Sequence, residues 1–382
     1  MFGGLKYVSR AALVAGAVSL GGFSAQAADL GGNCCADLEE RVAELEATTA
    51  RKGNRKVSLT VSGEVGSNLL WHDSDATDAV REDTVSLHDG GEYSSHFKFT
   101  GSAAVTSDVT IGFRLDINAN VDSTLDGDDI FVFIRSASLG TLRIGRLDGA
   151  ADGIHSISLA NNIGQMTNND HKAFVGAGFA TRNDFDGDSE DLGVLYSTPT
   201  LAGFIFSASY LQEDDSIANG VTEDDEKWSV ALRYAGEFGA IRVAAGIGYT
   251  GFEGREDNGA AELEEEFIST ISVMHVPTGL FLNGAYGDSE TVGGTEETGW
   301  TIVAGIQQNW SGLGATTLWG QYYDFERDGF GDGINWGLGI SQDIDAASAA
   351  VYLQYDMYEC VDVGNTCNDD ANVVTSGIKI SF

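Results

Sequence analysis

From Val57 to the end, the chain alternates apolar and polar side chains with a period of two, the spacing of a strand whose faces meet different surroundings. Val57, Leu59, Val61 and Val65 share one face, against Ser58, Thr60, Ser62 and Glu64 on the other. Ile111, Phe113, Leu115 and Ile117 repeat the pattern against Gly112, Arg114, Asp116 and Asn118, and Val374, Ile378, Ile380 and Phe382 repeat it at the end. The polar face carries charges, so it lines water and not a core. An oily outside around a wet inside describes a barrel in lipid, where open strand edges are not tolerated and the last strand must close on the first. The pattern predicts an all-β fold: a 16-stranded antiparallel transmembrane β-barrel over 57–382. Its strands are expected at 57–71, 92–104, 107–120, 129–139, 140–147, 191–199, 203–213, 227–238, 240–252, 266–277, 279–288, 298–310, 314–326, 334–344, 348–358 and 373–382.

Between these strands, long and short connections alternate strictly. Segments 72–91, 121–128, 148–190, 214–226, 253–265, 289–297, 327–333 and 359–372 are long and rich in Asp, Glu, Gly and Asn, whereas the intervening turns are tight. Pro199 and Pro277 both fall in tight turns, where a missing backbone donor does least harm. A sandwich or propeller has no reason to sort its loops by length; an outer-membrane barrel does, with short turns inside and long loops outside. Trp71, Tyr210, Trp228, Tyr234, Tyr249, Trp300, Trp310, Trp336 and Tyr355 lie toward strand ends, as girdle aromatics at the bilayer interfaces do.

Composition changes the picture in three respects. The formal net charge is −37, which rules against nucleic acid as a partner and suits an exported protein that meets cations. Fifty glycines with only 2 prolines suit one continuous, well-paired sheet. Residues 1–27 read as a secretory signal peptide: Lys6 and Arg10, the apolar run Ala11 to Phe23, then the small-x-small site Ala25-Gln26-Ala27. The 28–56 segment would be periplasmic. Within it Leu38, Val42, Leu45 and Thr49 form two heptads of an a/d seam, a short coiled coil at an oligomer axis or an amphipathic helix against its own barrel. Cys360 and Cys367, seven apart in an oxidising compartment, are expected to close a small disulfide loop, with free thiols or a metal site as the alternatives. Cys34 and Cys35 are adjacent and suit cross-links between subunits.

Candidate chemistry gathers at the longest connection, 148–190, the third long loop. A barrel of this size encloses an aqueous channel, and a third loop folded inward would narrow it. Its acidic run holds Asp184, Asp186, Asp188 and Glu190; wall positions Lys98, Arg114, Arg233 and Arg242 lie on polar phases, with Arg143 and Arg146 nearby. Carboxylates facing guanidinium groups set up a transverse field that orients polar solutes at a pore constriction. Asp184, Asp186 and Asp188 could also hold calcium, and no other cofactor is suggested. The sequence Gly246-Ile247-Gly248-Tyr249-Thr250-Gly251 matches a dinucleotide fingerprint but sits inside an alternating strand and not at a strand-to-helix turn. No nucleophile elbow or zinc-protease motif occurs, which argues against an enzyme.

Three passages resemble the general diffusion porins of alphaproteobacterial type. They are Cys34 to Glu46 leading into Lys56 to Gly63, the run Ser138 to Arg146 followed by Asp152-Gly153, and the terminal Phe382. The resemblance implies a homotrimer of 16-stranded barrels in the outer-membrane lipid, each with an inward third loop. It further implies assembly by a barrel-assembly machinery that recognises the last strand at Phe382. The expected function is passive diffusion of small hydrophilic solutes and ions with a weak cation preference. A barrel-anchored surface protein or adhesin, binding calcium or a partner through its acidic loops, is the alternative.

Overall fold

The computed structural model describes residues 57–74, 84–88, 95–119, 125–161, 185, 188–212, 226–253, 263–328, 331–361 and 370–382. The expected signal peptide, the 28–56 segment with its coiled coil, Asp184, Asp186 and Cys367 lie outside these residues, as does the side chain of Cys360.

Alternation of polar and apolar positions produces seventeen strand segments. They are β1 (Ser58–Ser74), β2 (Thr84–His88), β3 (Ser95–Ala104), β4 (Val109–Ala119), β5 (Leu125–Ser136), β6 (Gly140–Leu147), β7 (Asp191–Ser197), β8 (Phe204–Gln212) and β9 (Glu226–Phe238). Then come β10 (Ile241–Glu253), β11 (Leu263–His275), β12 (Leu280–Thr291), β13 (Glu296–Gln308), β14 (Thr316–Arg327), β15 (Gly331–Ile344), β16 (Ala349–Val361) and β17 (Asp370–Ser381). Each pairs antiparallel with its neighbours in one closed sheet. The sixteen staves are recovered once β2 and β3 are recognised as two parts of one stave. Asn68 to His72 of β1 pair with His88 to Thr84 of β2, and Ser58 to Glu64 pair with Ser102 to His96 of β3.

The barrel closes where β1 meets β17, with Glu64 opposite Ser381 through to Ser74 opposite Ala371. The Phe382 amide donates to the Gly63 carbonyl at 3.0 Å, and the Gly63 amide returns the bond to Phe382 at 2.9 Å. Gly63 leaves room for the terminal ring: a Cβ there would stand 2.7 Å from Phe382 Cζ and 2.5 Å from the His96 carbonyl oxygen. Phe97 packs against it with its ring tilted by 53°, 6.0 Å between centroids. No buried backbone edge is left in the lipid at this seam.

Side chains sort by phase as the alternation predicts. Val61, Val65, Ile111, Val132, Ile247, Ile302 and Leu338 stand exposed on the outer wall, where lipid would cover them. At the long-loop end the aromatics pair across strands: Trp228 with Tyr249 at 5.4 Å, Phe267 with Tyr286 at 6.4 Å, Trp300 with Tyr322 at 5.3 Å and Trp336 with Tyr355 at 5.5 Å. Trp310, Tyr234 and Phe204 belong to the opposite, tight-turn end.

Several strands run past their predicted limits at the long-loop end: β11 starts at Leu263 and β17 at Asp370. There the ladder continues while the outward side chains change from apolar to acidic, as in Glu265, Glu290 and Glu296. A turn prediction keyed to acidic composition stops too early for that reason.

Candidate pore constriction

The third long loop leaves β6 at Leu147 and turns into the barrel. Its inbound limb, Asp148 to Asn161, lies against the inner wall and descends from β8 and β9 toward the tight-turn end of β13 and β15. The wall supplies polar groups that satisfy the backbone of this buried limb. Ser209 and Ser229 hydroxyls accept the Ala150 amide at 2.9 and 2.8 Å. Arg233 donates to the Ala150 and Asp152 carbonyls at 2.8 and 2.6 Å. Further down, the Leu159 amide reaches Ser272 Oγ at 3.0 Å, Asn283 Nδ2 donates to the Ile157 carbonyl at 2.7 Å, and the Asn161 amide meets Gln307 Oε1 at 2.6 Å.

Glycines on the inward phase of β10 make the seat. A Cβ at Gly246 would stand 2.5 Å from Ile157 Cδ1, and one at Gly248 would stand 2.8 Å from the Ala151 Cβ. The dinucleotide-like run is therefore a flattened patch of wall on which Ala151, Ile154 and Ile157 rest, and those three side chains are buried. The outbound limb is described at Phe185 and from Asp188 onward.

Across the lumen, β3 to β6 carry the basic wall. Asp116, fully buried, lies between two cations: Lys98 Nζ at 3.2 Å and Arg114 at 2.8 Å. Arg114 also pairs with Asp129 at 3.1 Å. Arg114 and Arg143 both lie over the Phe131 ring, at 5.9 and 5.5 Å, an arrangement in which the ring face meets positive charge. At the loop's exit Arg146 pairs with Glu190 at 3.5 Å, and Lys227 donates to the Ser189 carbonyl and pairs with Asp191, both at 2.7 Å.

The residues singled out from sequence thus divide by position. Lys98, Arg114 and Arg143 share one wall, and Arg146 with Glu190 marks the rim where the loop returns. Arg233, three strands further round on β9, holds the loop's own carbonyls. Arg242 is near the tight-turn mouth, paired with Glu237 at 3.0 Å. Asp188 is buried and latches the loop's two limbs: its Oδ2 accepts the Ala151 amide at 2.8 Å and its carbonyl accepts the Gly149 amide at 3.0 Å. A Cβ at Gly149 would overlap that carboxylate, so only glycine permits the latch. Among the described residues no three His, Cys, Asp or Glu side chains are placed to share a metal ion.

Asp148 stands where the loop leaves the wall. Burial pushes its carboxyl well above the ordinary carboxylate range, and the carboxylates of Asp129, Glu190 and Asp128 add to the rise. Phe131, Phe185, Lys227 and the inward glycines were not singled out from sequence. Phe185 could have been: it is the lone large apolar side chain within Asp184 to Asp191.

A closed sheet of this size, apolar outside, charged within and crossed by an inward loop, defines an outer-membrane channel protein. A profile of the Gram-negative porins matches residues 11–379, and the chain belongs to that family. No curated protein sequence matches the chain. Among solved structures, an anion-selective porin from Comamonas acidovorans superposes with a TM-score of 0.61 at 16% identity, covering 85% of this chain and 100% of that one. OmpT of Vibrio cholerae in its trimer form gives 0.59 at 14% identity over 86% of this chain and 100% of that one. A mutant porin of Rh. blastica gives 0.54 at 14% identity, again covering 85% and 100%. These likenesses extend to the fold, and the chain is placed in the bacterial outer membrane.

Proposed function

We propose that this porin is a passive, cation-preferring channel for small hydrophilic solutes and ions, assembled as a homotrimer. The observation that carries the preference is the state of the lumen's cations. Lys98, Arg114, Arg146, Lys227, Arg242 and Lys379 each stand in an ion pair, and Arg327 pairs with Glu297. Arg233 is committed to the loop's carbonyls. With these bases paired, and Arg135 and Arg143 set over the Phe133 and Phe131 rings, the pore's field is left largely to the acidic excess, in a chain of net charge −37.

Selectivity of this kind comes from attraction at the mouth and the constriction, not from tight binding. Salt therefore screens it, the Debye length falling from about 10 Å at 0.1 M to about 3 Å at 1 M. The anion selectivity in the name of the Comamonas protein belongs to that protein, and a shared fold does not transfer it. The trimer form of the Vibrio protein supports the oligomer proposed here. Phe382, more than half exposed at the end of the closing strand, is the handle we assign to the assembly machinery.

Reversal potential across a planar bilayer in a KCl gradient tests the preference. The expected sign is that of cation flow, shrinking as both salt concentrations are raised; a potential of the anion sign would overturn it.

A further inference from the structure

We infer that Phe185 is the peg that sets the bore of the pore, and that the facing glycines Gly287 and Gly299 are the socket that receives it. This rests on the constriction reading above and names the residue that holds the loop's return limb in place.

Gly287 of β12 and Gly299 of β13 are direct register partners on the inward phase of their strands. Neither is at a turn, and neither has the positive backbone angle that would call for glycine. Their lack of a side chain is used for space. A Cβ at Gly287 would stand 2.2 Å from Phe185 Cγ, and one at Gly299 would stand 2.6 Å from Phe185 Cε2. The ring is 4% exposed and packs beside Phe325 at 6.4 Å between centroids. Strand interiors lose stability by carrying glycine, so two facing glycines under one aromatic ring point to a requirement for close approach.

The peg has a consequence for permeation. Phe185 interrupts the acidic run Asp184 to Asp191, and its socket lies on the wall across the lumen from Lys98, Arg114 and Arg143. Three residues on, Asp188 ties the same limb to the inbound one. A limb fixed at these two points keeps a set distance from the basic wall, and that distance is the width left for solutes. Any side chain at Gly287 must push the ring, and the limb with it, toward the lumen.

Single-channel conductance of the purified full-length protein tests this with three variants. Gly287→Ala is expected to lower conductance by roughly two-fold, because the constriction is where small displacements count most. Phe185→Ala is expected to raise open-channel current noise severalfold as the limb loses its anchor. Gly287→Ala combined with Phe185→Ala is expected to behave as Phe185→Ala alone, since the methyl group then occupies space the ring has left. Heat-modifiable migration on gels checks assembly of each variant. Should Gly287→Ala fail to assemble, normal assembly of the double variant is the same rescue read another way. Wild-type conductance in Gly287→Ala, or a double variant as impaired as Gly287→Ala, would overturn the inference. If no double variant assembles, unchanged noise in Phe185→Ala overturns it, and increased noise supports it. A wild-type protein that gives no conductance steps at all would instead count against the porin reading.

Discussion

Individual carboxylates in this pore perform separate tasks that their spacing in sequence does not distinguish. Asp116 compensates two cations, Asp188 replaces a backbone partner between the loop limbs, and Asp148 is held among other carboxylates at the loop's root. Asp148, in the loop and off the strands, is one carboxylate placed to report on pH. Its folded-state pKa is raised above the unfolded value of about 3.9, so its ionised form costs stability above the raised pKa and that cost disappears as pH falls through it. In permeation the sign is that acidification removes a negative charge from the constriction before ordinary carboxylates titrate. Cation preference, read as reversal potential, is expected to decline as pH falls, and to begin doing so above the range where ordinary carboxylates titrate. Asp148→Asn should show the reduced preference on the alkaline side of that titration as well, and lose that limb of the profile. An Asp148→Asn pore with the wild-type pH profile would show that the charge acts elsewhere.

Elements were read from sequence to the extent that alternation alone decides them. The period-two pattern of β1, β4 and β17 located their strands within a few residues, because a membrane wall admits only one phase outward. Two things escaped it. β2 is a five-residue segment within the predicted loop 72–91, too short for its pattern to stand out, and it pairs with Asn68 to His72 of β1, an edge that β3 leaves uncovered beyond Glu64. The path of the third loop escaped as well, because it is set by gaps in the wall at Gly246, Gly248, Gly287 and Gly299, and a missing side chain gives no signal until its neighbour is known. Glycine matters by position, which the seam at Gly63 and an open site at Gly284 can demonstrate. Gly63→Ala would force a methyl group against Phe382 and the His96 carbonyl, whereas at Gly284 the nearest atom to a Cβ is the Thr301 carbonyl oxygen at 3.7 Å. Overpacking of that kind costs about 1–3 kcal/mol, so Gly63→Ala should unfold at a lower temperature in detergent while Gly284→Ala matches the wild type. Equal melting of the two would mean that the Phe382 ring does not secure the seam.

At the scale of the whole molecule, closure and charge act together. A sheet without an edge can live in lipid with its polar face inward, and that face then holds water because it is lined by charges that no core could bury. The described inbound limb of the third loop, Asp148 to Asn161, lies along one wall and leaves the cations of β3 to β6 on the other. Family membership and fold agree with the wet interior anticipated from Arg114, Asp116 and Asn118 on one phase of a single strand. The cation preference proposed above rests on how those charges are paired. The most direct test is single-channel recording of the purified protein in planar lipid bilayers. A water-filled barrel narrowed by a fixed loop should give discrete, stable conductance steps that scale with salt concentration. Insertion without any stepwise current would mean that the barrel is plugged and serves only to anchor its loops.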